Sequence, residues 1–278
     1  MKFCIAGKNN IAVNALDYLI NELHFSKENI FVVINKTDSG VNLWQKSLKK
    51  YALDNNIKIK TLEDCYDIKD LIFLSLEFDR IIKTEFFKTK KMYNIHFSLL
   101  PAYKGMYTSA LPIINGEKYS GVTLHKIDNG IDTGDIIDQI KFEIDLNDTA
   151  RDLYLKYIEN SFILFQKNIK NILEGNFIST SQQAIGSSYY SKKAIDYSNL
   201  KFDYKKTSFE IYNQLRAFIF PEYQLPTIDN EEIFKVELTN TKGDFCNIIK
   251  KESFYEITGI DGYIIKAFIK RQKQHNYN

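Results

Sequence analysis

Two side chains typical of catalytic sites stand two positions apart in the stretch MYNIHFSLLPAYKGMY, Met92 to Tyr107. They are Asn94 and His96. Residues two apart on a strand point to the same face of a sheet, so the amide and the imidazole are expected side by side. Pro101 and Gly105 then interrupt the strand-like run. A lone histidine on a strand is more often a packed core residue than a catalyst, and Asn94 on the same face weakens that alternative.

A loop rich in acidic residues and glycine follows further along the chain. The segment DNGIDTGD places Asp128, Asp132 and Asp135 around Gly130 and Gly134. A hydrophilic turn is the plain alternative. The order of the acidic residues lacks the closing glutamate of an EF-hand loop, so no metal site is predicted. An amide, an imidazole and a carboxylate together suit acyl transfer: the amide donates to a developing oxyanion, the imidazole moves protons near neutral pH, and the carboxylate orients the imidazole.

The elements that must position these residues alternate between strand and helix. Short apolar runs such as KFCIAG, NIFVVIN and DLIFLSL are separated by the helical patterns NNIAVNALDYLINEL and VNLWQKSLKKYALDNN. This pattern predicts an α/β fold with a Rossmann-like, mostly parallel sheet, in which ligands gather beyond the carboxyl ends of the strands. TARDLYLKYIENSFILFQKNIKNILEG is the clearest helix; Thr149 and Asp152 have capping-box spacing and Gly175 marks its end.

The pattern changes after about Phe177. STSQQAIGSSYYSKK is polar and loop-like, SFEIYNQLRAFIF predicts a helix ending near Pro221, and three short runs predict antiparallel strands. We expect a catalytic domain over residues 1–180, a smaller C-terminal α+β lobe over 181–270 for nucleotide binding and dimerisation, and a disordered tail over 271–278.

Bulk composition narrows the class of function. The 278 residues carry 37 Lys and Arg against 35 Asp and Glu, a formal charge of +2, which argues against a general nucleic-acid binder. The three cysteines have no metal-like spacing and are expected to be buried free thiols in a reducing compartment. No signal peptide and no apolar run long enough to span a bilayer is evident, so a cytoplasmic protein without a membrane partner is expected.

The first strand–helix turn, AGKNNIA, has a single glycine and no dinucleotide fingerprint. The helix N-terminus at Asn9 and Asn10 is a candidate anion site, and a simple turn with an Asn cap is an equal alternative.

NIHFSLLPAYKG followed by GVTLHKIDNGIDTGDII resembles the catalytic core of the formyltetrahydrofolate-dependent formyltransferases. The resemblance covers about residues 1–180. It implies that Asn94, His96 and Asp132 form the catalytic triad, with Ser98–Pro101 and Gly105 in the conserved turn of the family pattern.

The resemblance also implies the donor, N10-formyltetrahydrofolate, whose pterin binds between a strand-end segment and the Asp132 loop. The matching residues are Ser75, Phe78, Ile81, Ile82, Asp128, Gly130 and Ile131. Core packing is the alternative for Phe78, Ile81 and Ile82.

The acceptor is indicated by YNQLRAFIFPEYQLPT, Tyr212 to Thr227, which looks like a segment of nucleotide-sugar N-formyltransferases acting on dTDP-amino sugars. We expect Phe220 or Tyr223 to stack on thymine, Gln224 to pair with the base edge, and Arg216 to bind pyrophosphate. Packing within the lobe is the alternative for the aromatic residues.

The loop after the triad is expected to reach the sugar or its phosphates, with the solvated state an alternative for Lys104. The predicted substrate contacts outside the C-terminal segment are Asn9, Tyr103, Lys104, Gly105, Met106 and Tyr107.

The resulting hypothesis is formyl transfer to a dTDP-linked 3- or 4-amino-deoxy sugar for surface polysaccharide (O-antigen or lipooligosaccharide), by a homodimer. The alternatives are methionyl-tRNA or water as acceptor, and a folate- or nucleotide-sugar-binding protein without turnover.

Overall fold

A computed structural model describes residues 1–271 of the chain, so the predicted tail lies, apart from Arg271, outside the described residues. The chain packs as two compact units. The first comprises Met1–Met106, Ser120–Phe142 and Lys156–Ser191, and the second comprises Tyr107–Tyr119, Glu143–Leu155 and the remainder from Lys192. This packing does not test the predicted division of roles at residue 180, which stays a prediction.

The α-helices within residues 1–271 are α1 (Asn9–Asp17), α2 (Leu48–Asp54), α3 (Leu111–Ile114), α4 (Ala150–Glu174) and α5 (Ser208–Arg216), and a π-helical turn, Tyr18–Glu22, continues α1. The strands are β1 (Lys2–Gly7), β2 (Ile30–Ile34), β3 (Lys58–Ile59), β4 (Leu71–Leu76), β5 (Met92–His96), β6 (Lys104–Gly105), β7 (Tyr119–Lys126), β8 (Ile136–Glu143), β9 (Tyr189–Tyr190), β10 (Thr227–Ile228), β11 (Glu231–Lys242), β12 (Ile248–Lys250), β13 (Phe254–Thr258) and β14 (Tyr263–Ile269). No helix among these residues is both long and apolar enough to cross a bilayer.

The first unit is built on a seven-stranded sheet in the order β3-β2-β1-β4-β5-β7-β8. Strands β1 to β5 pair in parallel, and β7 runs antiparallel to β5. The predicted α/β fold with a mostly parallel sheet is therefore confirmed. Strand order reverses beside β1, so the carboxyl ends of β1 and β4 flank the place where open α/β sheets bind ligands.

The central strands are mostly apolar because both faces of the sheet are covered. Every residue of β4 is buried, and Phe3 to Ala6 of β1 are fully buried. Gly7 ends β1 where the two strands come closest. A Cβ atom built on Gly7 would lie 2.0 Å from the Leu76 carbonyl oxygen, so only glycine fits there.

Local signals predicted some helix ends and missed others. The Thr149–Asp152 pair does cap α4, because each backbone N–H donates to the other side chain, and Gly175 follows in the left-handed conformation. The predicted helix VNLWQKSLKKYALDNN is wrong in its first half: α2 begins only after Ser47, whose backbone N–H donates to the Asn42 side chain.

The second unit contains the five-stranded sheet β10-β11-β14-β13-β12, in which neighbours run antiparallel. Helix α5 packs Ile211, Tyr212 and Leu215 in one apolar cluster with strand residues such as Ile233 and Ile265. The predicted antiparallel lobe is confirmed. The predicted helix end near Pro221 is wrong, since α5 ends at Arg216 and a tight turn joins Phe220 to Gln224.

Cysteine burial follows the prediction at two of three positions. Cys4 and Cys65 are buried free thiols, whereas Cys246 is exposed.

We predict that Gly7→Ala destabilises the protein by about 1–3 kcal/mol through overpacking, because the new methyl group meets a backbone carbonyl that cannot move alone. Chemical denaturation measures this change. Gly175→Ala is the control: a Cβ there meets no atom within 4 Å, so only its left-handed backbone is strained. Equal stability of Gly7→Ala and wild type would contradict the packing argument.

Candidate active site

Asn94 is on β5, the middle one of three neighbouring strands, β4, β5 and β7. In the sheet register Asn94 is opposite Ser75 of β4 on one side and His125 of β7 on the other. Side chains opposite each other on neighbouring strands share a face. The Nδ2 atom of Asn94 is 3.1 Å from His125 Nε2 and 3.4 Å from Asp132 Oδ1. The amide therefore joins an imidazole and a carboxylate that are distant in sequence.

His96, at the end of β5, has an oxygen atom close to each ring nitrogen. Its Nε2 is 2.8 Å from the Tyr103 carbonyl oxygen and its Nδ1 is 3.4 Å from Asp132 Oδ2. A carbonyl oxygen only accepts, so Nε2 carries the proton in the neutral ring. The lone pair of neutral His96 is consequently on Nδ1, facing the carboxylate.

Asp132 is the meeting point of the site. Its Oδ2 accepts a hydrogen bond of 2.9 Å from the Gly105 N–H, and its Oδ1 lies 3.5 Å from His125 Nε2. Its backbone is in the left-handed region, with φ 55°. For a residue other than glycine such a conformation costs free energy and is retained where surrounding contacts fix it.

The electrostatics separate the protonation states of the two groups. Burial raises the pKa of Asp132, but the adjacent imidazoles of His96 and His125 and the Gly105 N–H outweigh burial and hold that pKa well below its usual range. Burial lowers the pKa of His96, and attraction to Asp132 opposes this without reversing it. At neutral pH the site therefore holds a charged Asp132 beside a neutral His96, which is free to accept a proton.

His125 is a member of the cluster that the sequence reasoning did not single out. It is buried, and its Nδ1 is 2.7 Å from the Lys126 carbonyl oxygen, so Nδ1 carries the proton and Nε2 accepts from Asn94. The available signal was its place in the predicted strand GVTLHKID. His125 is recognised as part of the cluster only when β7 is known to pair with β5, which carries Asn94.

A second missed feature is the segment Gln182–Tyr190, which we call the strap. Its Gln182 Nε2 donates to the carbonyl oxygens of Asp132 and Gly134, each at 2.8 Å. The strap thus fixes the backbone of the acidic loop from outside.

The strap also fixes the loop after the triad. Ser188 Oγ accepts from the Tyr103 N–H at 2.8 Å, β9 of the strap pairs with β6, and the ring of Tyr190 stacks on that of Tyr103. This places the Tyr103 carbonyl against His96. The polar composition of the strap predicts a loop. No local sequence pattern indicates which distant segments it contacts.

Comparison with known proteins now bears on this arrangement. Residues 68–167 match the profile of the family described as formyl transferase. A methionyl-tRNA formyltransferase of Clostridioides difficile is 31% identical over 251 residues, 85% of this chain and 79% of the relative.

Two solved structures are more similar. The N-formyltransferase from Helicobacter canadensis, in complex with folinic acid and dTDP-3-aminofucose, is 53% identical and covers 97% of this chain and 100% of its own, with a TM-score of 0.93. WlaRD, a sugar 3N-formyl transferase crystallised with dTDP and 5-N-formyl-THF, is 53% identical over 98% of each chain, with a TM-score of 0.94. This chain belongs to the formyl transferase family.

In this formyl transferase the predicted folate residues lie on two loops that meet. Thr84, just after the first loop, donates a short hydrogen bond to the Asn129 side chain of the second. Ile81 and Ile131 are exposed, whereas Ile82 is buried and Phe78 packs against the same core cluster. The two loops are thus tied together.

The remaining predicted folate residues are polar or glycine. Ser75 is buried on β4, and Asp128 Oδ1 accepts from the Gly130 N–H at 3.0 Å and from Thr133 Oγ1 at 2.6 Å. Asp128 therefore shapes the loop that presents Ile131.

The predicted sugar-phosphate contacts are placed differently from one another. Lys104 is buried and its Nζ donates to Ser187 Oγ at 3.0 Å, so the solvated alternative does not fit and the phosphate role stays a prediction. Tyr103 is buried beside His96, and Met106 is exposed. Asn9 begins α1 and its Nδ2 is 3.3 Å from the Glu77 carboxylate.

The surroundings of Arg216 argue against its predicted contact with pyrophosphate. Its guanidinium is buried in the second unit and donates to the carbonyl oxygens of Asp148 and Asp145 and to Asn213 Oδ1. All these acceptors are internal, so Arg216 holds the start of α4 against α5.

Among the aromatic residues of the same segment, Phe220 is buried against Tyr154, whereas Tyr223 is exposed. Gln224 exchanges backbone hydrogen bonds with Phe220. The packing alternative therefore describes Phe220, and Tyr223 and Gln224 stay candidate contacts.

We predict that Arg216→Met lowers the free energy of unfolding by about 1–3 kcal/mol, because buried carbonyl groups lose their charged donor. Calorimetric titration with dTDP should show unchanged affinity. Lys205→Met, at an exposed position, is the control for stability. Near-wild-type stability together with a large loss of dTDP affinity would restore the pyrophosphate role.

Proposed function

We propose that this chain transfers the formyl group of N10-formyltetrahydrofolate to the 3-amino group of a dTDP-linked amino sugar. The observation that carries the proposal is the Asn94–His96–Asp132 cluster in a chain that is 53% identical, over nearly its whole length, to two sugar N-formyltransferases. The first of these enzymes is bound to dTDP-3-aminofucose and the second is a sugar 3N-formyl transferase, which supports the 3-amine over the 4-amine. Methionyl-tRNA formyltransferases are more distant, at about 30% identity.

His96 is assigned the proton transfer. Formyl transfer forms a bond between the sugar nitrogen and the formyl carbon and breaks the bond from that carbon to N10 of the folate. One proton must pass from the sugar amine to N10. The lone pair on His96 Nδ1 accepts this proton from the sugar amine, directly or through water. The same atom then donates the proton to N10 of the folate. The neutral resting state of His96 suits the first of these steps.

Asp132 and Asn94 stabilise the charges that this transfer creates. Once His96 takes the proton, its Nδ1–H faces Asp132 Oδ2, and the charged carboxylate favours the imidazolium. Negative charge develops on the formyl oxygen at the same moment. The Asn94 amide is the donor assigned to that oxygen, in place of its long 3.4 Å contact with Asp132 Oδ1.

The paired folate loops are assigned to the donor. Their exposed Ile81 and Ile131 offer apolar surface for a flat heterocycle, and Phe78 and Ile82 support them from below. The folate supplies the formyl group, and the loops hold it beside His96. Binding in this way replaces a bimolecular encounter by a fixed geometry, which accounts for much of the rate advantage of such enzymes.

The wider biological assignments remain predictions of the same hypothesis. They are a role in surface polysaccharide synthesis, a homodimer and a cytoplasmic location. The proposed substrate and donor support the last of these, since nucleotide sugars and reduced folates are cytoplasmic metabolites.

We predict that His96→Asn lowers formyl transfer to a dTDP-3-amino-3,6-dideoxyhexose by about 10²–10⁴-fold, the usual loss for an acid–base group, with the fold intact. Product is measured by mass spectrometry and fold by circular dichroism. His24→Asn is the control, because His24 is an exposed histidine outside the cluster.

The acceptor is tested with the same assay. The 3-amino sugar should be formylated in preference to its 4-amino isomer and to methionyl-tRNA. Near-wild-type turnover by His96→Asn would refute the catalytic assignment, and formylation of methionyl-tRNA alone would refute the acceptor.

A further inference from the structure

His125 is the member of the active-site cluster to which the proposed mechanism gives no role. It is opposite Asn94 in the antiparallel pairing of β5 and β7, and only 2% of its surface is exposed. Its Nε2 is 3.1 Å from Asn94 Nδ2. A buried imidazole against the side chain that is assigned to the oxyanion is placed to control the direction of that side chain.

The tautomer of His125 is fixed by the acidic loop. Its Nδ1 is 2.7 Å from the Lys126 carbonyl oxygen, which only accepts, so Nδ1 carries the proton and Nε2 holds the lone pair in the neutral ring. Lys126 is itself held by the loop, because its N–H donates to the Asp135 carbonyl oxygen at 2.9 Å. Gly134 lies against the Lys126 carbonyl group, since a Cβ atom built on this glycine would be 1.9 Å from the oxygen. The loop that carries Asp132 therefore also sets which nitrogen of His125 accepts.

The lone pair on His125 Nε2 favours one orientation of the Asn94 amide. An amide has a donor end, the NH₂ group, and an acceptor end, the carbonyl oxygen. The NH₂ group of Asn94 has two acceptors in reach, His125 Nε2 at 3.1 Å and Asp132 Oδ1 at 3.4 Å. A flipped amide would place its oxygen against a lone pair and a negative charge, so both neighbours favour the donor end.

Only one of these two acceptors stays with Asn94 during the proposed reaction. One N–H of Asn94 leaves Asp132 for the formyl oxygen, and Asp132 then faces the imidazolium of His96. The other N–H remains on His125 Nε2. A donor that is already oriented stabilises a developing oxyanion without the cost of reorganisation, so the bond to His125 keeps the amide of Asn94 effective.

We propose that His125 is a positioning residue: its neutral Nδ1–H tautomer accepts one N–H of Asn94 and thereby directs the other at the formyl oxygen. The inference rests on the proposed function for its catalytic consequence, and on the hydrogen bonds of His125 for the orientation itself. It predicts that the two histidines of the site carry their protons on opposite nitrogens, His125 on Nδ1 and His96 on Nε2.

Nitrogen-15 NMR of labelled histidine in the wild-type protein tests the orientation. In the neutral ring of His125 the proton should be on Nδ1, and Nε2 should show the shift of an unprotonated nitrogen that accepts a hydrogen bond. The signal is assigned by its loss in His125→Gln. A neutral ring with its proton on Nε2 would overturn the inference, because that N–H cannot accept from Asn94.

Steady-state kinetics tests the catalytic consequence. His125→Leu removes the acceptor and should lower kcat for formyl transfer by about 10–100-fold, with little change in KM, because the oriented donor acts in the transition state. This loss is smaller than the roughly 10²–10³-fold cost of deleting an oxyanion donor outright. His125→Gln, whose Oε1 can accept in place of Nε2, should recover most of the loss. His24→Leu is the control, since His24 is exposed and outside the cluster.

A double-mutant cycle separates positioning from a purely structural role. In Asn94→Ala protein the change His125→Leu should cost no further activity, because the side chain that it positions is gone, whereas in His96→Asn protein the loss should persist. Equal losses in wild type and in both variants, or no rescue by His125→Gln, would overturn the inference and leave the proposed function standing. Failure of the wild-type protein to formylate a dTDP-amino sugar would overturn the proposed function, and the tautomer of His125 would still decide the orientation of Asn94.

Discussion

A mostly buried, ionised carboxylate organises the candidate active site of this protein. Desolvation of a carboxylate is costly, and the Gly105 N–H together with the imidazoles of His96 and His125 outweighs that cost and holds the pKa of Asp132 well below its usual range. Each of those partners is on a different element. The charge therefore requires β5, β7 and the loop after β5 to be in place together, and the site exists only in the folded sheet.

The loops around Asp132 are held in conformations that they would not adopt alone. Tyr103, Gly105 and Asp132 all have positive φ. The strap supplies the contacts that offset this cost, through Gln182 on the acidic loop and Ser188 and Tyr190 on the loop after β5. Glycine is required at position 105, since a Cβ there would lie 2.3 Å from the Tyr190 carbonyl oxygen.

The same interactions make the folded state sensitive to acid. A carboxyl group whose pKa is lowered by folding stabilises the protein above its unfolded pKa, about 3.9, and this stabilisation is lost as pH falls through the lower folded value. The pKa of His96 is lowered by burial, so the unfolded chain binds that proton first, below about pH 6.5. Both effects reduce stability as pH falls.

Sequence pattern predicted what depends on local spacing and missed what depends on distant contacts. The two-residue period of a strand predicted that Asn94 and His96 share one face. The apolar strands, alternating with helices, predicted the parallel sheet. Arg216 was predicted to bind pyrophosphate from its own segment alone, whereas two of its hydrogen-bond acceptors come from the distant residues Asp145 and Asp148. The contacts of the strap were not predicted, because nothing in its composition indicates which loops it binds.

The protonation state of His96 tests the account most directly, by NMR of histidine labelled with nitrogen-15 in wild type and in Asp132→Asn. In wild type at neutral pH the ring should be neutral, protonated at Nε2, and should titrate below the ordinary value of about 6.5. In Asp132→Asn it should titrate lower still, because the attraction that raises its pKa is removed. A cationic His96 at neutral pH, or a titration that Asp132→Asn leaves unmoved or shifts upward, would contradict the claim that Asp132 controls this proton.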